Sequence, residues 1–289
     1  MDSNSFSEEI KSYIDSAYNE FRGYQCISLD ILRELDRVCR NNGIDYFLAF
    51  GSLLGAIRDH TQIPWDYDID TVVKIDDRDK LLDALKKGLG EDYYYSYSDI
   101  DETYPTSCLR VCKKGFSMMA LHVDVFFLVG VPKGKRNEVL MIKRLKKLMG
   151  MRTTKNIHHY LGNNNSGWVM KVYDFIKNGW LHLIPNKLIN RAELRLMLKY
   201  ALTENDYWFA CQNVYNIVFP KRIFDQTIEI ELGGYGFKAP IGYDEFLTIA
   251  YGNWRDYLPV RKRFEEFYRM YYIVEERQSY YQNETNDDK

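Results

Sequence analysis

Residues 46–75 constrain this chain more than any other stretch. Residues 46–50 are a short aromatic and apolar run of strand type, Gly51-Ser52 breaks it, residues 53–58 have helical spacing, and residues 66–75 are extended again. A strand, a short helix and a second strand in so little chain require a sheet with a helix packed on it. Ser52, at the turn, has the residue type expected of a helix N-cap.

The remaining patterns fit the same class. Helical spacing marks residues 7–22, through Ile10, Tyr13, Ile14, Ala17 and Phe21, and residues 26–41, through Cys26, Leu29, Leu32, Leu35 and Val38. Asn41-Asn42-Gly43 stops the second of these. A helix is expected over 79–89, strands over 93–97 and 108–112, and a buried strand over 118–129. Residues 133–155 form a basic amphipathic helix with Val139, Ile142, Leu145 and Leu148 on its apolar stripe, and helical patterns resume from Trp168 to about Leu202. Residues 214–241 return to strands and turns, residues 243–251 and 264–275 are helical, and the polar stretch 276–289 is expected to be disordered. The expected fold is α/β (α+β). A catalytic core over 1–130 is followed by a helical insertion over 131–213, and a C-terminal β/helical segment over 214–275 packs back on the core.

Composition narrows the function. Lys and Arg total 39 against 41 Asp and Glu, a formal charge of −2, so no strongly basic face for nucleic acid is expected of the chain as a whole. Hydrophobic residues make up 46%, which excludes a disordered chain or a fibrous repeat. The N-terminus lacks the basic and apolar regions of a signal peptide, and the five Cys contain no C-x-x-C pair. A cytoplasmic protein with reduced thiols is expected, and neither a zinc site nor a disulfide framework.

The chemistry concentrates at three places. In an extended segment alternate residues share a face, so Asp68 and Asp70 project together with Ile69 turned into the core. Asp124 is a third carboxylate, placed inside an apolar strand where it needs a partner or a metal. An adjacent strand would bring it beside the first two. Carboxylate oxygens suit Mg²⁺, with Mn²⁺ as the alternative, on a nucleotide's phosphates, and the same cluster can help deprotonate an attacking hydroxyl. Asp124 is expected to lie nearest that hydroxyl. Gly51 and Ser52 open a helix whose N-terminus can face a phosphate, and Arg58 at its end can pair with a phosphate oxygen. Each piece alone is ordinary: Asp-x-Asp is a common solvated turn, Gly-Ser a common turn, and a buried Asp a common structural hydrogen-bonding residue. Their combination in this order is the pattern of a nucleotidyltransferase-fold active site.

Residues 44–58, Ile-Asp-Tyr-Phe-Leu-Ala-Phe-Gly-Ser-Leu-Leu-Gly-Ala-Ile-Arg, followed by Ile63-Pro64-Trp65-Asp66-Tyr67-Asp68-Ile69-Asp70, resemble the signature of the LicD family. These are phosphocholine transferases of bacterial surface glycans, related to the fukutin-type phosphotransferases. His122-Val123-Asp124-Val125-Phe126 resembles the family's third-carboxylate strand, and residues 242–254, ending Tyr251-Gly252-Asn253-Trp254, resemble its closing motif. The resemblance implies Mg²⁺-dependent transfer of a phospho-alcohol from a CDP-linked donor to a glycan hydroxyl. It places Asp68, Asp70 and Asp124 at the metal and Gly51 and Ser52 at the phosphate turn. The implied acceptor is a cell-surface glycan of lipopolysaccharide, capsule or teichoic-acid type. Two departures stand out: Tyr67 interrupts the usual run of three acids after Trp65, and Phe127 replaces the usual proline after Asp-x-Phe. Two other functions share the residues, a nucleotidylyl transfer from a nucleoside triphosphate and a catalytically silent nucleotide- or glycan-binding protein.

Further candidates have paired readings. Arg110 is a phosphate contact or an exposed strand residue, Lys238 a contact to the donor's phosphates or a solvated lysine, and Trp65 a stacking platform or a core plug. His122 shares the face of Asp124 and either orients a ligand or fills the core. The basic helix over 135–155 is a solvated face, or a peripheral contact with the inner face of a membrane that carries a lipid-linked acceptor.

Overall fold

The computed structural model describes residues 3–157, 160, 179–200, 206–210 and 217–287. The His158-His159 pair, Cys211 and the helical reading over 168–178 lie outside the described residues. The chain opens with α1 (Ser3–Asn41), β1 (Tyr46–Leu48), α2 (Phe50–Arg58), β2 (Ile69–Lys74), α3 (Arg78–Gly88), β3 (Tyr93–Ser96), β4 (Leu109–Lys113) and β5 (Val123–Gly130). Then follow α4 (Lys135–Asn156), α5 (Asn186–Leu198), β6 (Tyr207–Ala210), β7 (Val218–Phe219), a hairpin of β8 (Thr227–Leu232) and β9 (Tyr235–Pro240), α6 (Tyr243–Tyr251) and α7 (Val260–Asp287). The protein is an α/β protein built on a mixed sheet.

The sheet runs β1-β2-β5-β4-β3. β5 is its centre, and every residue of β5 is buried, as its near-continuous apolar sequence requires. It pairs in parallel with β2, and on its other edge antiparallel with β4 along its first half and with β6 along its second. The main core gathers the second half of α1, both faces of this sheet, α2, α3, α4 and α6.

Several elements differ from expectation. The strand expected over 66–75 begins at Ile69, so Asp66 and Asp68 precede it. The two helices expected over 7–22 and 26–41 are one helix, because nothing between them breaks it; Gly23 sits where an added side chain would meet only open space. The segment 131–213 is not wholly helical, since β6 returns from it to the main sheet. The strand expected to begin at Met118 begins at Val123, and residues 117–121 form a turn. The stretch 276–289 is not a disordered tail: α7 continues to Asp287. Gln278 is buried and accepts the Ser117 N–H at 3.0 Å, while Arg277 donates to the Met119 carbonyl at 2.6 Å and to the Tyr67 hydroxyl at 3.0 Å. Those contacts are with residues distant in sequence, and local polarity does not reveal them. α7 also packs Phe267, Tyr271 and Val274 against Ala17 and Phe21 of α1.

Candidate active site

Register places the carboxylates. In the parallel pair of β2 and β5, Asp70 stands opposite Asp124, and in the antiparallel pair of β4 and β5, Arg110 stands opposite Asp124. One rung therefore carries Arg110, Asp124 and Asp70 side by side. Asp70 is fixed at both backbone ends: its N–H donates to Ser52 Oγ at 2.8 Å and its carbonyl accepts the Ala49 N–H at 3.0 Å. The loop before β2 is held from α1, where buried Gln25 donates to the carbonyls of Ile63 and Asp66, both at 2.8 Å, and buried Ser28 to that of Tyr67 at 2.7 Å. Neither residue is noticeable in the sequence, because each acts on a carbonyl some forty positions away.

Asp70 and Asp124 open onto a cavity of about 590 Å³. Gly51, Arg58, Trp65, Asp66, Asp68, Asp70 and Asp124 all line it, and Tyr251, Asn253 and Trp254 close it from the C-terminal segment. Gly51 is required by a close approach, since a Cβ there would overlap Asp66 Oδ2. Phe50, just before it, has a φ of 44°, a left-handed conformation that costs a non-glycine residue about 1–3 kcal/mol. Its ring is held edge-on against Phe126 and Phe246. Asp66, which the sequence alone leaves at the ragged start of a strand, is a wall residue; its two-residue spacing from Asp68 is the signal that marks it.

Three expectations change. Ser52 does not cap α2, which begins after Ala49 without a side-chain cap bond; its hydroxyl oxygen instead ties α2 to Asp70. Arg110 is neither exposed nor a lining residue. It is 4% exposed and its Nε donates to Asp124 Oδ1 at 2.8 Å, so it lies behind the carboxylate. Lys238 lies outside the cavity, bonded to Asp45 Oδ1 at 2.7 Å and the Ile44 carbonyl at 3.2 Å, where it holds β9 to the start of β1. Arg58 keeps its place, with its guanidinium clasped by Asp59 at 2.9–3.0 Å and stacked over the Tyr257 ring at 4.3 Å.

The electrostatics are uneven. Burial pushes the Asp70 carboxyl well above the usual range, reinforced by Asp68, Asp124 and Asp66, and burial with Asp68 does the same to Asp66. Burial also acts on Asp124, yet Arg110 and His122 outweigh it and hold that carboxyl well below the usual range. Four carboxylates thus face one cavity with a single guanidinium behind them, an excess of negative charge that suits a divalent cation. His122 fits the same conclusion. Its side chain is 1% exposed and neither ring nitrogen has a hydrogen-bond partner. Asp68, His122 and Asp124 each offer a donor atom, all within 4.8 Å of one another, and Asp70 lies outside that triple.

Residues 43–147 match the family model described as LicD/FKTN/FKRP, nucleotidyltransferase domain. The chain is 26% identical over 248 residues to the lipopolysaccharide cholinephosphotransferase LicD of Haemophilus influenzae, covering 81% of this chain and 90% of that protein. Among the described residues no helix is long and apolar enough to cross a membrane.

Proposed function

We propose that this phosphotransferase, with its LicD-type nucleotidyltransferase domain, moves phosphocholine from CDP-choline to a hydroxyl of a lipopolysaccharide-type glycan. The observation that carries this is the rung that sets Asp70 beside Asp124 on the cavity floor, with Asp68 and Asp66 on the adjoining wall. The acceptor hydroxyl oxygen attacks the phosphorus that bears choline, the bond to the CMP oxygen breaks, and glycan phosphocholine and CMP are the products. Asp68 and Asp124 would hold a divalent ion such as Mg²⁺, which when bound neutralises charge on the donor's phosphates.

The chain's own groups divide the remaining work. Asp124, kept ionised by Arg110, is a poor proton acceptor. Asp70, on the same rung beside Asp124 and lining the cavity, is the carboxylate assigned here to accept the hydroxyl proton. Gly51 leaves room at the turn, Arg58 offers a positive wall, and Trp65 offers a ring face to base or sugar.

A lipid-linked acceptor would bring the reaction to a cytoplasmic membrane face, and the surface of α4 and α5 supports that contact. Between the two helices lies a groove of about 530 Å³ with Arg144, Lys147, Arg195 and Lys199 on its rim and Leu148, Met151 and Leu196 on its floor. The described stretches 133–157 and 179–200 hold thirteen Lys and Arg against two acids, Glu138 and Glu193. Both acids are already paired, with Lys135 and Arg152.

A ³¹P NMR assay with CDP-choline, CDP-glycerol and CDP-ribitol, a glycan extract and Mg²⁺ tests the reaction. CMP and a new phosphodiester from CDP-choline are expected. No CMP from any donor overturns the assignment, and pyrophosphate release from a nucleoside triphosphate replaces it with nucleotidylyl transfer.

A further inference from the structure

We propose that His122 is itself a ligand of the cation at this centre, through Nε2 beside Asp68 and Asp124, and that the mixed nitrogen and oxygen donor set makes the protein select Mn²⁺ over Mg²⁺. The assignment rests on a cation binding among these carboxylates and not on the identity of donor or acceptor.

Three observations carry it. A buried imidazole normally satisfies at least one ring nitrogen, yet both nitrogens of His122 lack a partner at 1% exposure. Its Nε2 is 3.5 Å from Asp124 Oδ1, at the outer limit of a hydrogen bond and longer than a well-formed buried His–Asp contact. Two ligands at about 2.1 Å from one ion, subtending about 90–110°, stand about 3.0–3.5 Å apart, which is the separation seen. The third donor, Asp68, completes the only triple of potential ligand atoms this compact among the described residues.

The surroundings suit ligation. His122 immediately precedes β5, its donor atom is within 4.8 Å of those of Asp68 and Asp124, and the Tyr67 ring stands edge-on to the imidazole at 6.4 Å. Arg110 donates to Asp124 Oδ1 and to the Met118 carbonyl at 3.2 Å, a support that orients and ionises a ligating carboxylate. Mg²⁺ favours all-oxygen surroundings and keeps its waters, whereas an imidazole nitrogen is a good ligand for transition metals.

Pulsed EPR of Mn²⁺ bound to the purified protein tests this without any turnover. A ¹⁴N modulation from one imidazole is expected in the wild type and is expected to vanish in His122→Gln, whose fold is checked by circular dichroism. Competition of Mg²⁺ against bound Mn²⁺ gives the second readout, and the Mn²⁺ preference is expected to fall roughly tenfold or more in the variant, the lower end of what losing a group at a metal centre costs. Should His122→Gln not fold, wild-type protein labelled with ¹⁵N-histidine serves instead, and the modulation must change to that of ¹⁵N. Bound Mn²⁺ without ¹⁴N modulation overturns the ligand and leaves the proposed reaction standing, and no Mn²⁺ binding at all overturns the site. Modulation together with failure of the CMP assay overturns the reaction and leaves the ligand in place.

Discussion

Replacing Arg110 with leucine should destabilise this protein more than any change at the cavity surface. The Arg110 and Asp124 side chains are 5% and 2% exposed, and they meet at 2.8 Å. At that distance, with an effective dielectric of about 20, their gross attraction is about 6 kcal/mol. Arg110→Leu leaves the Asp124 carboxylate buried with Cys108 Sγ at 3.3 Å and His122 at 3.5 Å as its neighbours. Breaking a buried pair from one side costs about 3–5 kcal/mol, because the charge that remains has lost its compensation. For a chain of 289 residues that is a fall in Tm of about 5–8 °C.

The pH dependence also changes sign. In the wild type the depressed Asp124 carboxyl contributes stability that is present above the unfolded value of about 4 and is lost as pH falls through the folded value. Without Arg110, burial is opposed by His122 alone, and that carboxyl is expected to rise above its unfolded value, so that stability is then lost as pH rises through the new one. Urea unfolding at pH 5, 6.5 and 8 should show the deficit of Arg110→Leu widening with pH. Adding Asp124→Asn to Arg110→Leu should recover part of the loss, since a neutral amide is cheaper to bury than an orphaned charge. A deficit under about 1 kcal/mol, or a double variant whose losses simply add, would refute a buried charge pair.

Three further outcomes follow from the same structure. Asp70→Asn should lower turnover by about 10²–10⁴-fold, the contribution of a positioned proton acceptor, without lowering Tm at pH 8. The raised carboxyl of wild-type Asp70 makes the metal-free protein lose stability as pH rises through it, and the amide removes that loss, so a lower Tm for the variant at pH 8 counts against the assignment. Gln25→Leu strands the carbonyls of Ile63 and Asp66, so a loss of about 1–3 kcal/mol is expected together with a rise in KM, and an unchanged KM would show that α1 does not position the loop. Ending the chain after Glu276 removes the bonds of Arg277 and Gln278 to the 115–119 turn and should cost about 2–4 kcal/mol by thermal unfolding; a truncated protein as stable as the whole would mean those contacts are dispensable.

What could be read from the sequence follows the range over which each signal acts. Period-2 alternation put Asp68 and Asp70 on one face, and the apolar run around Asp124 marked a central strand. Both are local patterns; the register sets Asp70 opposite Asp124, while Asp68 lies just before β2 and reaches the cavity from the preceding bend. Arg110 was misplaced because its neighbours Leu109, Val111 and Cys112 say only that it is in a strand, while its partner is set by a register with β5 that no local pattern carries. Lys238 was misplaced for the same reason, since its partners belong to the 44–45 segment. Ser52 has the composition of a cap, but Phe50 enters the helix early in a left-handed conformation, and the serine falls inside the first turn. The polar end of the chain looked unable to fold because polarity was weighed against solvent, when its Arg and Gln are bonded to the body of the protein.

The site and the stability of the sheet are therefore one arrangement. Because side chains alternate along a strand, a slip of β5 by one residue against β2 would turn Asp124 and Phe126 away from the cavity and send Val123 and Val125 toward it. The slip is opposed on both edges at once. Thr71 Oγ1 donates to the Asp124 carbonyl at 2.9 Å from the β2 side, and Arg110 grips the Asp124 carboxylate from the β4 side. Both bonds are made to Asp124, a residue that the proposed chemistry needs in position. A carboxylate that is costly to bury is thus also the residue that locks the register. Replacing the Arg110–Asp124 pair by two leucines could preserve the apolar packing, but it would remove both the site and one of the two restraints that keep β5 in register.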